Sequence, residues 1–248
     1  MLSVASGIAR AGAGAPDGRV RPCHQGEGVS ADRAVRTASA ALLAVTQLVV
    51  SLAASALAQA GTGDRHIVIV TPPDDVRLAA TREAIDFWNE TLSGLHLDLR
   101  LVEDRVLVAP PSTRKLEQYT RQIWNLAGRT PPSAASPPAP PELDAIEGDI
   151  VVFLSSQQIF SFAWPRAERR KFFIGIQTDT QEPLTYPNVT RNVIAHELGH
   201  TLGLEHNGRT TTLMCGPCEH FVYRSEVPQF LPVTPAEHAR LRQLHGSP

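Results

Sequence analysis

Cysteine is scarce in this chain, with three residues among 248. A disulfide-rich scaffold is therefore excluded as the source of its stability. Net charge is also small, at a formal value of −2, so the composition lacks the basic excess that favours nucleic-acid binding, and we expect no nucleic-acid partner. Hydrophobic residues make up 42% and charged residues 19% of the chain, which excludes a largely disordered protein.

The sequence also has only one long apolar run, which lies near the N-terminus. Residues 38–60 carry no charge, follow Arg33 and Arg36, and end in AQA. This order of basic, apolar and small residues is typical of a secretory signal peptide, so we expect cleavage after Ala60. The alternative is an uncleaved N-terminal membrane anchor, because about 20 apolar residues suffice to span a bilayer.

These features predict a leader and signal peptide over residues 1–60 and one domain over residues 61–248. The second part has 188 residues, with 18 basic and 22 acidic groups. A chain of this length buries roughly 70% of the surface that its unfolded form exposes, which is enough for a core. The expected location is secreted or cell-envelope (periplasmic), or membrane-attached if the signal segment stays uncleaved.

Short periodic segments predict strands and helices in the second part. Strands are predicted at residues 66–71, 95–102, 149–154 and 171–177. Helices are predicted from Asp74 or Asp75 to Ser93, at residues 113–127 and 190–204, and after the capping box Thr234-Pro235-Ala236-Glu237. Six prolines within residues 131–141 predict an extended loop over residues 130–141 inside the domain. Alternation in residues 95–102 places His96 on the solvent side, so His96 is not expected to bind a metal.

The string HELGHTLGLEH, which begins at His196, carries the strongest functional signal. On a helix His196 and His200 project from one face, because they are four residues apart. Gly203 permits a left-handed backbone position at which the chain leaves the helix axis, so His206 can return as a third nitrogen ligand. Three imidazoles and a water form a tetrahedral catalytic Zn²⁺ site, and the Glu197 carboxylate can reach that water.

Met214 follows the third histidine by eight residues, which completes the pattern H-E-x-x-H-x-x-G-x-x-H plus a Met-turn. The chain thus resembles the metzincin zinc metallopeptidases, and within them the matrixins, over residues 64–246 in element order and over residues 196–214 in residue detail. The resemblance implies an α+β domain with a twisted, mostly parallel sheet, an antiparallel edge strand, an active-site helix, a Met-turn and a C-terminal helix. It also implies that Met214 forms an apolar floor under the imidazoles.

The expected activity is that of a monomeric zinc-dependent endopeptidase with one catalytic Zn²⁺ and a protein or peptide substrate. Zn²⁺ lowers the pKa of a bound water to about 7 and polarises the scissile carbonyl. Glu197 is the expected general base, which also returns the proton to the leaving amine. The alternative is a catalytically inactive, zinc-stabilised binding module, although a structural site has no use for a carboxylate beside an open coordination position.

Cys215 and Cys218 enclose the string CGPC directly after the Met-turn. Thioredoxins have the same string at their active site, so a thiol oxidoreductase is a third interpretation. That chemistry needs the first cysteine at the N-terminus of a helix, and the residues that follow show no helical pattern. An exported protein favours a local disulfide instead, while a metal site that includes His220 is a further alternative.

Substrate binding and subfamily are less well marked. The resemblance implies that an extended peptide pairs with an edge strand before the active-site helix. The candidate residues for that edge are Phe160, Ser161, Phe162, Ala163 and Trp164, which could instead only pack on the sheet. The chain lacks histidine between His96 and His196, has Gly216 where astacins and serralysins have a tyrosine ligand, and has an unusual Asn207 after the third histidine.

Overall fold

A computed structural model of the chain describes residues 63–126, 137–168, 170–218 and 228–246. All of them belong to one compact unit, which includes Thr62–Pro248. Three predictions concern residues outside the described ranges. They are the signal segment or membrane anchor over residues 38–60, residues 130–136 of the proline-rich loop, and the metal site that includes His220. Within the described part, none of the helices has the length and apolar character needed to cross a membrane.

Five strands in the described part form one sheet in the order β2-β1-β3-β5-β4. They are β1 (Arg65–Thr71), β2 (Leu101–Val108), β3 (Ile150–Leu154), β4 (Phe162–Pro165) and β5 (Phe172–Ile176). β2, β1, β3 and β5 run parallel, whereas β4 pairs antiparallel with β5 at one edge. The predicted mostly parallel sheet with an antiparallel edge strand is therefore confirmed.

Helices cover both faces of this sheet. They are α1 (Arg77–Gly94), α2 (Thr113–Leu126), α3 (Pro141–Asp144), α4 (Pro187–Thr201) and α5 (Pro235–His245). Alternate residues of β1 enter two different cores: Ile67 and Ile69 join α1 and α4, whereas Val68 and Val70 join α2 and α3. Burial on both faces explains why the central strands read as continuous apolar runs.

The predicted strand over residues 95–102 is wrong in its position, because β2 begins only at Leu101. Residues 95–97 instead donate their backbone N–H groups to carbonyls in the last turn of α1. The alternation still matches burial, since Leu95, Leu97 and Leu99 are buried and the residues between them are exposed. The leucines pack on the core below α1, so alternation here reflects a packed connection rather than a paired strand. His96 is exposed, as expected.

Other helix boundaries also differ from the predictions: α1 begins at Arg77 rather than directly after Asp74 or Asp75, and α4 ends at Thr201 rather than Leu204. The extended loop predicted to residue 141 ends earlier, because Pro141 opens the short helix α3, a position at which the missing N–H of proline is harmless. Helix α4 starts at Pro187 rather than residue 190 for the same reason. The capping box of α5 is confirmed, with the Thr234 side chain accepting from Glu237 N and the Glu237 side chain accepting from Thr234 N.

Candidate metal centre

Helix α4 lies deep in the structure and carries the first two histidines. Trp88 of α1 donates its indole N–H to the carbonyl oxygen of Ala195 at 2.8 Å. Close by, a Cβ atom on Gly199 would lie 2.5 Å from Met214 Sδ and 2.9 Å from Trp88 Cζ2. A larger residue at position 199, where α4, the segment of Met214 and α1 meet, would therefore displace Met214 or Trp88. The sequence interpretation did not single out Gly199, although it lies within the quoted string.

Three imidazoles converge at the C-terminal end of α4. The Nε2 atoms of His196 and His206 are 3.0 Å apart, and His200 Nε2 is 3.2 Å from each of them. A tetrahedral Zn²⁺ with Zn–N bonds of 2.0–2.1 Å holds its nitrogen ligands about 3.3 Å apart. The predicted ligands are thus brought together by the structure, with spacings that fit a Zn²⁺ ion.

The orientation of two rings is fixed by backbone carbonyls. His196 Nδ1 lies 2.7 Å from the oxygen of Leu213, and His200 Nδ1 lies 2.8 Å from the oxygen of Leu204. A carbonyl only accepts, so each Nδ1 carries the hydrogen and each Nε2 keeps its lone pair for a metal. Burial also lowers the pKa values of His200 and His206, which favours the neutral, metal-binding form.

Gly203 and Gly216 allow the third histidine to reach this cluster. Gly203 follows α4 with φ of +86°, a left-handed conformation that other residues adopt at a cost. A Cβ atom on Gly216 would lie 2.8 Å from Cγ of the His206 ring. From the sequence, Gly216 was notable only because astacins and serralysins have a tyrosine ligand at this position. In the structure, Gly216 leaves room for the ring of His206.

Glu197 connects α4 to the edge strand β4. It follows His196 in α4, is 7% exposed, and receives a hydrogen bond from the backbone of Ala163 in β4. Burial raises its pKa to about 8, and the hydrogen bond from Ala163 acts in the opposite direction. A cation held by the histidines would also oppose this rise, since it favours the charged carboxylate.

Met214 is fully buried and belongs to a tight turn that returns the chain to His206. Its carbonyl oxygen accepts the N–H of Asn207 at 2.7 Å, and Asn207 in turn accepts the N–H of Gly216 at 3.0 Å. The Met214 sulfur lies next to Gly199, the residue before His200, because a Cβ atom added at Gly199 would be 2.5 Å from this sulfur. The turn therefore packs against α4 beside the ligands.

The side chain of Asn207 connects the third histidine to the last helix. Its Nδ2 donates to Glu237 Oε1 at 2.5 Å and to Thr212 Oγ1 at 2.9 Å. The other carboxylate oxygen, Glu237 Oε2, accepts from Thr234 N at 2.6 Å within the capping box. One buried carboxylate thus serves both the N-terminus of α5 and the segment after His206. The sequence marked Asn207 as unusual and Glu237 as a capping residue, but it gave no signal that they meet.

Cys215 and Cys218 are joined by a disulfide directly after the Met-turn. Cys215 is 2% exposed, whereas Cys218 is partly exposed. Both sulfur atoms and one ring nitrogen of His196 lie within 4.8 Å of one another. The disulfide is therefore adjacent to the histidine cluster, an arrangement that the spacing along the chain did not indicate.

The candidate substrate edge is split by the structure. Phe162, Ala163 and Trp164 belong to edge strand β4, while Phe160 and Ser161 precede it. Phe162 is buried and its ring lies over Gly175, where a Cβ atom would be 2.7 Å away. Phe160 packs against Trp124 with ring centroids 6.4 Å apart. Phe162 thus serves the core, and Ala163 is the residue of this segment that contacts Glu197.

No protein-family model and no curated protein matches the chain. Among solved structures, it is similar to a protein in a chaperone-substrate complex, with 16% identity, a TM-score of 0.40, and coverage of 68% of this chain and 29% of that chain. It is also similar to archaemetzincin from Methanopyrus kandleri, with 18% identity, a TM-score of 0.41, and coverage of 74% and 96%.

A third similar structure is a zinc-dependent peptidase from Methanocorpusculum labreanum, with 13% identity, a TM-score of 0.35, and coverage of 72% of this chain and 100% of that chain. The chain spans 29% of the length of the first protein and nearly all of the other two. At these levels of identity and overlap, likeness alone assigns no function. A functional assignment therefore has to rest on the geometry of the histidine cluster.

Proposed function

We propose that the chain is a zinc-dependent endopeptidase of the metzincin type, with matrixin-like features at its Met-turn. One observation carries this proposal: three Nε2 atoms lie 3.0–3.2 Å apart, and the buried Glu197 follows the first of these histidines directly in α4. A structural zinc site is closed by four protein ligands, whereas a catalytic site has three and an open position. Three histidines beside a carboxylate correspond to the catalytic arrangement.

His196, His200 and His206 would hold the ion. When bound, Zn²⁺ acidifies a water ligand to a pKa of about 7 and polarises a carbonyl group. Leu213 and Leu204 fix the rings of His196 and His200 through their carbonyl oxygens, so both rings are oriented before the metal arrives. Gly216 leaves the space that His206 needs.

Glu197 moves the proton in this proposal. Its carboxylate accepts a proton from the attacking water and delivers it to the leaving amine of the cleaved peptide. The hydrogen bond from Ala163 favours the charged form that accepts the proton, while burial raises the pKa and favours its return. The two opposing influences suit a group that must act first as a base and then as an acid.

The substrate would be an extended protein or peptide chain that pairs with β4. β4 is the last strand of the sheet on this side, so its outer edge is available for β-augmentation within the described part of the chain. The contact between Ala163 and Glu197 links this edge to the general base. A peptide on β4 would therefore lie beside the metal centre.

We also propose that the enzyme acts outside the cytoplasm, in the periplasm or as a secreted monomer. The signal-like residues 38–60 and the disulfide between Cys215 and Cys218 support this location, because disulfides persist in oxidising compartments. A thiol oxidoreductase is less well supported, since Cys215 is 2% exposed and a reactive cysteine needs to be accessible.

The test combines metal analysis with a peptide library. Protein comprising residues 61–248 should contain one zinc per chain and should cleave peptides only without a chelator. Restored cleavage after Zn²⁺ is returned would support a zinc peptidase. Zinc without cleavage of any peptide would favour the alternative of a zinc-stabilised binding module, and absence of zinc would contradict both.

A further inference from the structure

Cys215 and Cys218 have no part in the proposed peptidase reaction, yet they lie beside one of its metal ligands. Their sulfur atoms and one ring nitrogen of His196 are all within 4.8 Å of one another. The carbonyl oxygen of Leu213 lies near two members of this group: it is 2.7 Å from His196 Nδ1 and 3.9 Å from Cys215 Sγ. Two sulfurs and an imidazole thus form a compact group on the Met-turn side of α4.

The oxidation state of the sulfurs decides what this group can bind. A disulfide has no thiolate charge and is a poor ligand, whereas two thiolates and an imidazole are among the ligands that Zn²⁺ prefers. In a tetrahedral site with Zn–S of about 2.3 Å and Zn–N of about 2.0 Å, the ligand atoms lie about 3.6–3.8 Å apart. Once the disulfide is reduced, the two sulfurs can move apart to that spacing, and a ring nitrogen of His196 already lies within 4.8 Å of both.

We propose that reduction of the Cys215–Cys218 disulfide creates a second zinc site, formed by His196, Cys215 and Cys218 with water as the fourth ligand. This site shares His196 with the three-histidine cluster, so the two sets of ligands compete for one residue. Thiolates bind Zn²⁺ strongly, and occupation of the sulfur site draws His196 away from the other two histidines. If the chain has the proposed function, on which this step rests, the competition makes the disulfide a switch. The oxidised protein is then the active peptidase and the reduced protein is inactive.

The chemistry of the switch is thiol–disulfide exchange with a dithiol reductant. A thiolate of the reductant attacks Cys218 Sγ, the more exposed sulfur, and the bond to Cys215 breaks to form a mixed disulfide. The second thiol of the reductant then releases Cys218 and closes the reductant's own disulfide. Two electrons and two protons pass to the protein as two thiols, and the protons leave when the metal binds.

The second site can be tested without any peptidase assay. The variant His200→Ala/His206→Ala lacks the three-histidine cluster but keeps His196 and both cysteines. We would reduce it with a phosphine, remove the reductant under anaerobic conditions, and titrate with Co²⁺ as a spectroscopic probe. The expected result is binding of one Co²⁺ with sulfur-to-cobalt charge-transfer absorption, which is absent from the oxidised protein.

The matched control adds Cys215→Ser and Cys218→Ser to the same variant and should show no charge-transfer band. A reduced variant without the band, or a control that keeps it, would overturn the proposal. Since the histidine variant could unfold, the intact chain is titrated in parallel. Its Co²⁺ spectrum should gain the charge-transfer band on reduction and lose it on reoxidation, and a spectrum that does not change would also overturn the proposal.

The switch itself is tested on the zinc-loaded intact chain. Peptide cleavage should be lost on reduction and recovered on reoxidation, while the Cys215→Ser/Cys218→Ser variant should be insensitive to the reductant. Unchanged cleavage in the reduced protein, together with the charge-transfer band, would refute the switch but leave the second site. Absence of cleavage in both oxidation states would instead refute the proposed function, and the Co²⁺ result would still decide on the sulfur site.

Discussion

The contact between Asn207 and Glu237 is expected to stabilise the metal centre from outside it. Asn207→Ala removes the donor that lies 2.5 Å from Glu237 Oε1 and leaves that oxygen without this partner. Glu237 is 7% exposed, so water replaces the amide poorly. Loss of a hydrogen bond to a charged, mostly buried group costs about 1.5–3 kcal/mol. Because Asn207 is partly exposed, we expect about 2 kcal/mol, or roughly 4–8 °C in Tm for a domain of this size.

A change of charge and an exchange of the two groups give a sharper test of the same contact. Asn207→Asp places a second carboxylate at hydrogen-bond distance from Glu237, and should destabilise the protein more than Asn207→Ala does. Asn207→Asp/Glu237→Gln exchanges the two groups: the new amide donates to Asp, and its oxygen still accepts from Thr234 N. Stability should then return to within about 1 kcal/mol of the original chain, as a coupled pair in a double-mutant cycle.

Two assays measure these effects, urea denaturation for stability and competition with a chelator for zinc affinity. Asn207 follows His206 in the chain, so Asn207→Ala should also lower zinc affinity, by less than the about 10- to 100-fold that is typical when a group bonded directly to a ligand is lost. The exchanged pair should regain affinity together with stability. The reasoning fails if Asn207→Ala leaves both quantities unchanged, or if the exchanged pair is no more stable than Asn207→Asp alone.

Other predictions follow from single contacts. Gly216→Ala should displace His206, because a Cβ atom would lie 2.8 Å from its ring, and should weaken zinc binding in the same chelator competition; wild-type affinity would contradict this reading. Trp88→Phe removes the donor to the Ala195 carbonyl and should lower the free energy of unfolding by about 1–3 kcal/mol in urea, an effect that a midpoint identical to wild type would disprove. Removal of zinc should lower Tm by calorimetry, because a metal that binds the folded state stabilises it by mass action; equal Tm values with and without the ion would speak against a bound metal.

The three-histidine cluster could be predicted from the sequence because its geometry is local. His196 and His200 are four residues apart on one helix, and Gly203 turns the chain so that His206 follows within three residues. The capping box of α5 is local for the same reason, since Thr234 and Glu237 are three residues apart. In each case the spacing along the chain already determines the distance in space.

The supporting contacts could not be predicted, because they join residues far apart in sequence. Asn207 meets Glu237 across 30 positions, and Trp88 meets Ala195 across 107. Neither contact leaves a periodic signal. The incorrect prediction of a strand over residues 95–102 has a related cause. Alternation indicates that every second side chain is buried, but the residues that bury it can belong to a neighbouring strand or to a packed helix.

The most direct test of the peptidase proposal is the peptide cleavage rate of Glu197→Gln compared with the original chain at equal zinc content. Glu197 is expected to be the general base and not a zinc ligand, so the variant should keep its zinc. Cleavage should fall by about 10²- to 10⁴-fold, the usual contribution of a general base. Undiminished cleavage by a fully zinc-loaded Glu197→Gln protein would contradict the assigned role of this residue and the mechanism with it.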